Sequence, residues 1–167
     1  MTPKIAFALS VSALVLFSGG VAHAAPSTAS GQESVRTTSS KAAYKMTAKE
    51  RKVLQLTNKA RAKAGCKPLK ANTKLAKAAR KHSKDMAVNH YFSHDSQDGS
   101  SPWDRIKREG YKYPGAENIA AGYPTAAAVV KGWMNSKGHR ANILNCKLKA
   151  LGVGHYQKYW TQDFGWK

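Results

Sequence analysis

The chain has 167 residues, 42% of them hydrophobic, with 28 Lys and Arg against 9 Asp and Glu and a formal net charge of +19. That length suits one domain with extensions. Beyond the N-terminal segment there is no internal repeat and no apolar stretch long enough for a membrane helix, which excludes repeat architectures and polytopic membrane proteins.

Lys4 precedes an apolar run from Ile5 to Phe17, and Ala22-His23-Ala24 has the small-x-small form of a cleavage site. The run is shorter than the roughly 20 residues that span a bilayer, so residues 1–24 read as a cleaved signal peptide rather than an anchor. Residues 25–43 are rich in Ser, Thr and Ala without apolar periodicity and read as a disordered leader. The remaining 44–167 form one domain.

Thr47-Ala48-Lys49-Glu50 is a capping-box pattern that starts a helix carrying Val53, Leu56 and Ala60 on one face and ending at Gly65. Asn72 caps a second helix, with Leu75, Ala78, Ala79, His82 and Met86 as its apolar stripe. His82 reads as a hydrogen-bonded core histidine. Ser101-Pro102-Trp103-Asp104 starts a third helix, closed by Gly110. A fourth runs from about Ala126 to Asn135 and is stopped by Gly138, with one further turn over Ala141 to Leu144. Leu151 to Tyr156 and Tyr159 to Phe164 read as a hairpin turning at Gln157-Lys158, and Glu117 to Ala121 as a third strand. Gly152 and Gly154 mark close packing or a bulge in a strand, and Trp103, Trp133 and Trp160 read as core. Helices first and strands last indicate an α+β domain.

Two cysteines, Cys66 and Cys146, lie in opposite halves of the ordered region. In an exported chain they are expected to form one disulfide, stabilising by roughly 4 to 5 kcal/mol in the chain-entropy account. From Lys41 to Lys84 there are 15 Lys and Arg and a single acid, Glu50. This concentration reads either as a solubilising face or as an attraction to polyanions such as wall polymers and membrane surfaces. Few aromatics interleave the lysines, so specific nucleic-acid binding is not indicated.

Three polar positions sit in apolar or glycine-rich frames: His94 in Tyr91-Phe92-Ser93-His94, Glu117 in Gly115-Ala116-Glu117-Asn118-Ile119-Ala120, and His139 in Gly138-His139-Arg140-Ala141-Asn142. Two imidazoles and a carboxylate are an inventory for metal binding or acid–base chemistry. They equally suit a hydrogen-bonded cluster joining sheet to helices. His90 and His94 are four apart, but Phe92-Ser93 indicates that the helix has ended and the glutamate of a zinc-protease motif is absent.

The segments Phe92-Ser93-His94, Pro102-Trp103, Glu117-Asn118-Ile119-Ala120, Trp133 to Leu144, Gly152-Val153-Gly154 and Tyr159 to Gly165, in this order, resemble the CAP superfamily of cysteine-rich secretory, antigen 5 and pathogenesis-related proteins. The likeness covers nearly all of 47–166 and is strongest to the secreted bacterial branch of SCP-like extracellular proteins. It implies a three-layer α-β-α sandwich with a small antiparallel sheet. It also implies a cleft of two histidines and two glutamates that sometimes holds a divalent metal. His94, His139 and Glu117 match three of the four positions; the second glutamate falls on Ser136, a poor ligand for zinc.

The expectation is thus a secreted or envelope-associated monomer that acts as a binding module rather than an enzyme. Its basic helical face meets anionic wall polymers, and its cleft takes a small ligand or weakly held zinc. The alternatives are a divalent-metal-dependent hydrolase using His94, His139 and Glu117, and a lipid- or sterol-binding protein.

Overall fold

The computed structural model describes residues 45–167. The expected signal peptide and leader lie outside the described residues. Helix α1 (Ala48–Lys63) opens on the expected capping box: Glu50 N–H donates to Thr47 Oγ1 at 3.2 Å, and Thr47 N–H donates to Glu50 Oε2 at 2.7 Å. It closes at Gly65, whose φ of +75° favours glycine. After a two-residue strand β1 (Lys70–Ala71), helix α2 (Thr73–Val88) is capped by Asn72, whose Oδ1 accepts from the N–H groups of Lys74 and Leu75. Helix α3 (Pro102–Arg108), strand β2 (Pro114–Ala121), helices α4 (Ala126–Asn135) and α5 (Lys137–Ile143), and strands β3 (Ala150–Tyr156) and β4 (Tyr159–Gly165) follow.

The four strands form one sheet in the order β1-β3-β4-β2, with β1 parallel to β3 and the other pairs antiparallel. Period-two alternation divides the side chains between two helical layers. On one face Leu151, Val153, Trp160, Phe164, Ala116 and Ala120 join Val53 of α1, Val129 and Trp133 of α4 and Ile143 of α5 in the larger core. On the other, Ala150 meets Leu75 and Ala78 of α2 and Ile106 of α3. This is the α+β sandwich expected, with an antiparallel core of three strands. Closeness of α2 to the sheet explains Gly154: a Cβ there would lie 2.2 Å from the backbone carbon of Ala79.

Four local expectations need correction. Helix α4 spans Ala126–Asn135 as expected, but it is broken by Ser136, whose extended backbone (φ −100°, ψ 124°) separates α4 from α5, and not by Gly138, which lies within α5. That last helix also begins at Lys137 rather than Ala141. Trp103 is 40% exposed on α3 rather than in the core, whereas Trp133 and Trp160 are buried. Strand β2 starts at Pro114, and β1 was too short to show a periodicity.

The disulfide Cys66–Cys146 is formed, with a Cα separation of 4.9 Å. Beside it Arg61, fully buried, donates to the carbonyls of Lys67, Ile143, Asn145 and Leu148 at 2.8 to 3.1 Å. One covalent bond and one guanidinium therefore tie the loop after α1 to the loop after α5.

Candidate functional site

Strand β2 is at the sheet edge, so groups from both helical layers reach it. Glu117, near its middle, points to the α2/α3 layer and is 7% exposed. Its Oε1 lies 2.8 Å from His94 Nδ1, and its Oε2 accepts from Arg105 Nη2 at 2.8 Å. His94 comes from the segment after α2, and its side chain is half-exposed. Arg105 comes from α3, is buried, and also donates from Nη1 to Ser96 Oγ at 3.3 Å and to the carbonyl of Ser100 at 3.0 Å. Arg105 therefore fixes the 96–100 segment and charges Glu117 at the same time.

Asp163 is the direct partner of Glu117 across the β2–β4 ladder and is fully buried. Burial first, and then the charge of Glu117, hold the Asp163 carboxyl well above the usual carboxylate range. That direction favours the neutral form of Asp163 beside Glu117, and its Oδ1 has no partner among the described residues. Burial alone would raise Glu117, but the hydrogen bond from His94 and the Arg105 charge outweigh it and hold Glu117 below the usual range. The bond to Glu117 raises His94 above the ordinary imidazole value against its partial burial. His139 is lowered by burial and then by the His94 charge.

His139 belongs to α5, where its Nδ1 is 2.9 Å from Ser136 Oγ. A chain of amides carries α5 onto the sheet. Asn142 Nδ2 donates to Asn118 Oδ1 at 2.9 Å, Asn118 Nδ2 donates to the carbonyl of His139 and to Gln162 Oε1, and Gln162 Nε2 donates to Thr57 Oγ1 of α1. Buried side-chain amides joined this way fix the position of each partner.

His94, Glu117 and His139 thus gather around the β2 edge, with His94 bonded to Glu117 and His139 held by the substituted position, Ser136. Arg105 and Asp163 were missed. Arg105 is one cation among many in the sequence. Asp163 shares strand parity with Thr161 and Gly165, but only the β2–β4 register puts it opposite Glu117.

A divalent metal, implied by the resemblance, does not fit this donor set. Both Glu117 oxygens are engaged by cation or imidazole, and Ser136 is engaged by His139. Among the described residues no group of three or more His, Cys, Asp or Glu is arranged to hold an ion. Two imidazole nitrogens remain, short of the three or four ligands of a zinc centre.

The profile of the cysteine-rich secretory protein family, CAP, matches residues 54–164. The Bacillus subtilis protein YkwD, itself uncharacterised, is 47% identical over 146 residues, covering 86% of this chain and 55% of its own length. An extracellular protein of Bacillus anthracis containing an SCP domain has a similar structure, with a TM-score of 0.69 and 40% identity over 71% of this chain and 40% of its own. A cysteine-rich secretory protein of Staphylococcus aureus follows at TM-score 0.62 and 25% identity, over 71% of this chain and 38% of its own. The chain therefore spans about half or less of the length of these relatives. The profile spans about two thirds of the chain, and the sandwich fold agrees with these structures; the chain belongs to the cysteine-rich secretory protein (CAP) family.

Proposed function

We propose that this protein is an exported, non-enzymatic binding module that docks on anionic polymers of the cell envelope, with the His94/Glu117/His139 cleft receiving a small ligand. The observation that carries the reading is the state of the basic residues between 45 and 84. Among the described residues only Arg80 and Lys81 of this set reach a carboxylate, that of Glu50 and Glu109 respectively. Arg61 is spent on backbone carbonyls. Lys52, Lys59, Lys63, Lys67, Lys70 and Lys84 are exposed, and such a field draws polyanions over a Debye length of about 8 Å at physiological salt. The non-enzymatic part rests on Glu117, which is 7% exposed and whose basicity is lowered by its bonds to His94 and Arg105, so it is a weak base turned away from solvent. Binding of the protein to isolated cell walls across a salt series tests the reading. Strong binding at low salt that fades towards about 1 M, where the Debye length is about 3 Å, is expected; no binding at low salt removes the polymer.

A second reading, lipid binding, is favoured by a groove of about 460 Å³ between α1 and the α4/α5 pair. Leu56, Ala60, Val130, Met134 and Leu144 line it, with Lys59, Lys63, Lys131 and Arg140 also in its wall. Apolar walls with cations suit an acyl chain with an anionic head. Displacement of a fluorescent fatty acid, lost in V130W, supports this reading; no uptake by the wild type removes it.

A further inference from the structure

A second concave site lies on the α2/α3 layer, behind the cleft. It has a volume of about 620 Å³ and is walled by the second half of α2, the 96–100 segment and α3. Its floor includes His82, 1% exposed, and Arg105, 8% exposed. Arg105 anchors one wall through Ser96 and Ser100 while holding Glu117 with its other nitrogen, so the cavity is formed before any ligand arrives. His82 Nε2 lies 3.0 Å from the carbonyl of Ser93, and its Nδ1 is a buried polar atom without a partner among the described residues.

The charges around the cavity are unequal in what they still have to offer. Its three acids are engaged: Asp85 accepts from Tyr91 and Asn89, Asp98 from Ser100, and Glu109 from Lys81. Lys84 on α2 and Arg108 on α3 are exposed and form no salt bridge among the described residues. Two exposed cations from different walls, neither in a salt bridge among the described residues, suit an anion with oxygens pointing several ways, which a phosphate has and a planar carboxylate lacks. The Asn89 and Gln97 amides add donors and acceptors suited to hydroxyl groups. We propose that this cavity seats one phosphate-bearing polyol unit of an anionic polymer. This rests on the polymer-binding reading above and deepens it from a diffuse attraction to a defined site.

Calorimetric titration with glycerol 3-phosphate, with inorganic phosphate and glycerol as separate arms, tests the proposal. Saturable one-to-one binding of glycerol 3-phosphate is expected, at least tenfold tighter than inorganic phosphate, with amide shifts at Gln97 and Ser100 in NMR spectra. K84A/R108A should weaken it at least tenfold, whereas K147A/K158A, on the exposed surface outside the cavity, should leave it unchanged. Equal affinity for glycerol 3-phosphate and inorganic phosphate overturns the polyol assignment, and equal losses in the two double variants overturn the cavity. Wall binding at low salt by the same samples separates the failures. A protein that binds walls but not glycerol 3-phosphate overturns the cavity alone; one that binds neither overturns both proposals.

Discussion

Glu117 accepts from an exposed imidazole on one oxygen and from a buried guanidinium on the other, and it faces Asp163 across the ladder. Its charge is thus held by Arg105, and burial pushes the neighbouring Asp163 carboxyl towards its neutral form. Taking away the cation leaves a buried carboxylate short of its partner, so R105A is expected to lose about 3 kcal/mol in urea denaturation; a loss below about 1 kcal/mol contradicts the pairing. Asp163 acts with a definite sign. Its folded value is raised, so its contribution is whole below the ordinary carboxylate range and is lost as pH rises towards that folded value. D163N keeps an N–H for Glu117 and cannot ionise. Its melting temperature should therefore gain on wild type as pH rises from about 4, by up to about 1.4 kcal/mol of stability per pH unit while wild-type Asp163 stays protonated. A difference that is flat with pH would show that Asp163 is ionised in the fold.

Helix α2 lies so close to the sheet that β3 must carry glycine where the two meet. A Cβ on Gly154 would meet the Ala79 backbone, and one on Gly152 would fall 2.2 Å from the Ala76 nitrogen. Because neither contact is the end of a flexible side chain, G154A is expected to cost about 3 kcal/mol or more, read from the urea midpoint; wild-type stability in G154A would mean that α2 sits elsewhere. At this scale much was legible in the sequence. Thr47, Asn72 and Ser101 announce their helices because a cap is a local, short-range hydrogen bond. The hairpin of β3 and β4 shows in a run of β-prone residues broken by Gln157-Lys158. The end of α4 at Asn135 was legible but its cause was not, because the extended backbone of Ser136 leaves no signature beside the glycine two residues later. The cleft was legible as three residues and not as five. His94, Glu117 and His139 stand in recognisable frames, whereas the contributions of Arg105 and Asp163 depend on tertiary distance and strand register.

Across the whole molecule, the loops after α1 and α5 are joined twice, by Cys66–Cys146 and by Arg61. The bridge closes a sequence separation of 80 residues, so the chain-entropy account gives C66S/C146S a loss of about 4 kcal/mol, checked by urea denaturation of oxidised wild type against the variant; no loss would mean that Arg61 alone suffices. Beyond this tie the remaining basic side chains among the described residues are largely displayed at the surface, and only Arg80, Lys81 and Arg105 of the described Lys and Arg form a salt bridge. That display is the basis of the central claim that the protein holds anionic polymer by charge. The most direct test is the affinity for a soluble poly(glycerol phosphate) as a function of salt, for wild type and for K52Q/K67Q/K70Q, three exposed positions. The account predicts affinity that falls steeply with salt in wild type, and weaker binding with a shallower salt dependence in the variant. Affinity that ignores salt, or that is unchanged in the variant, would contradict it.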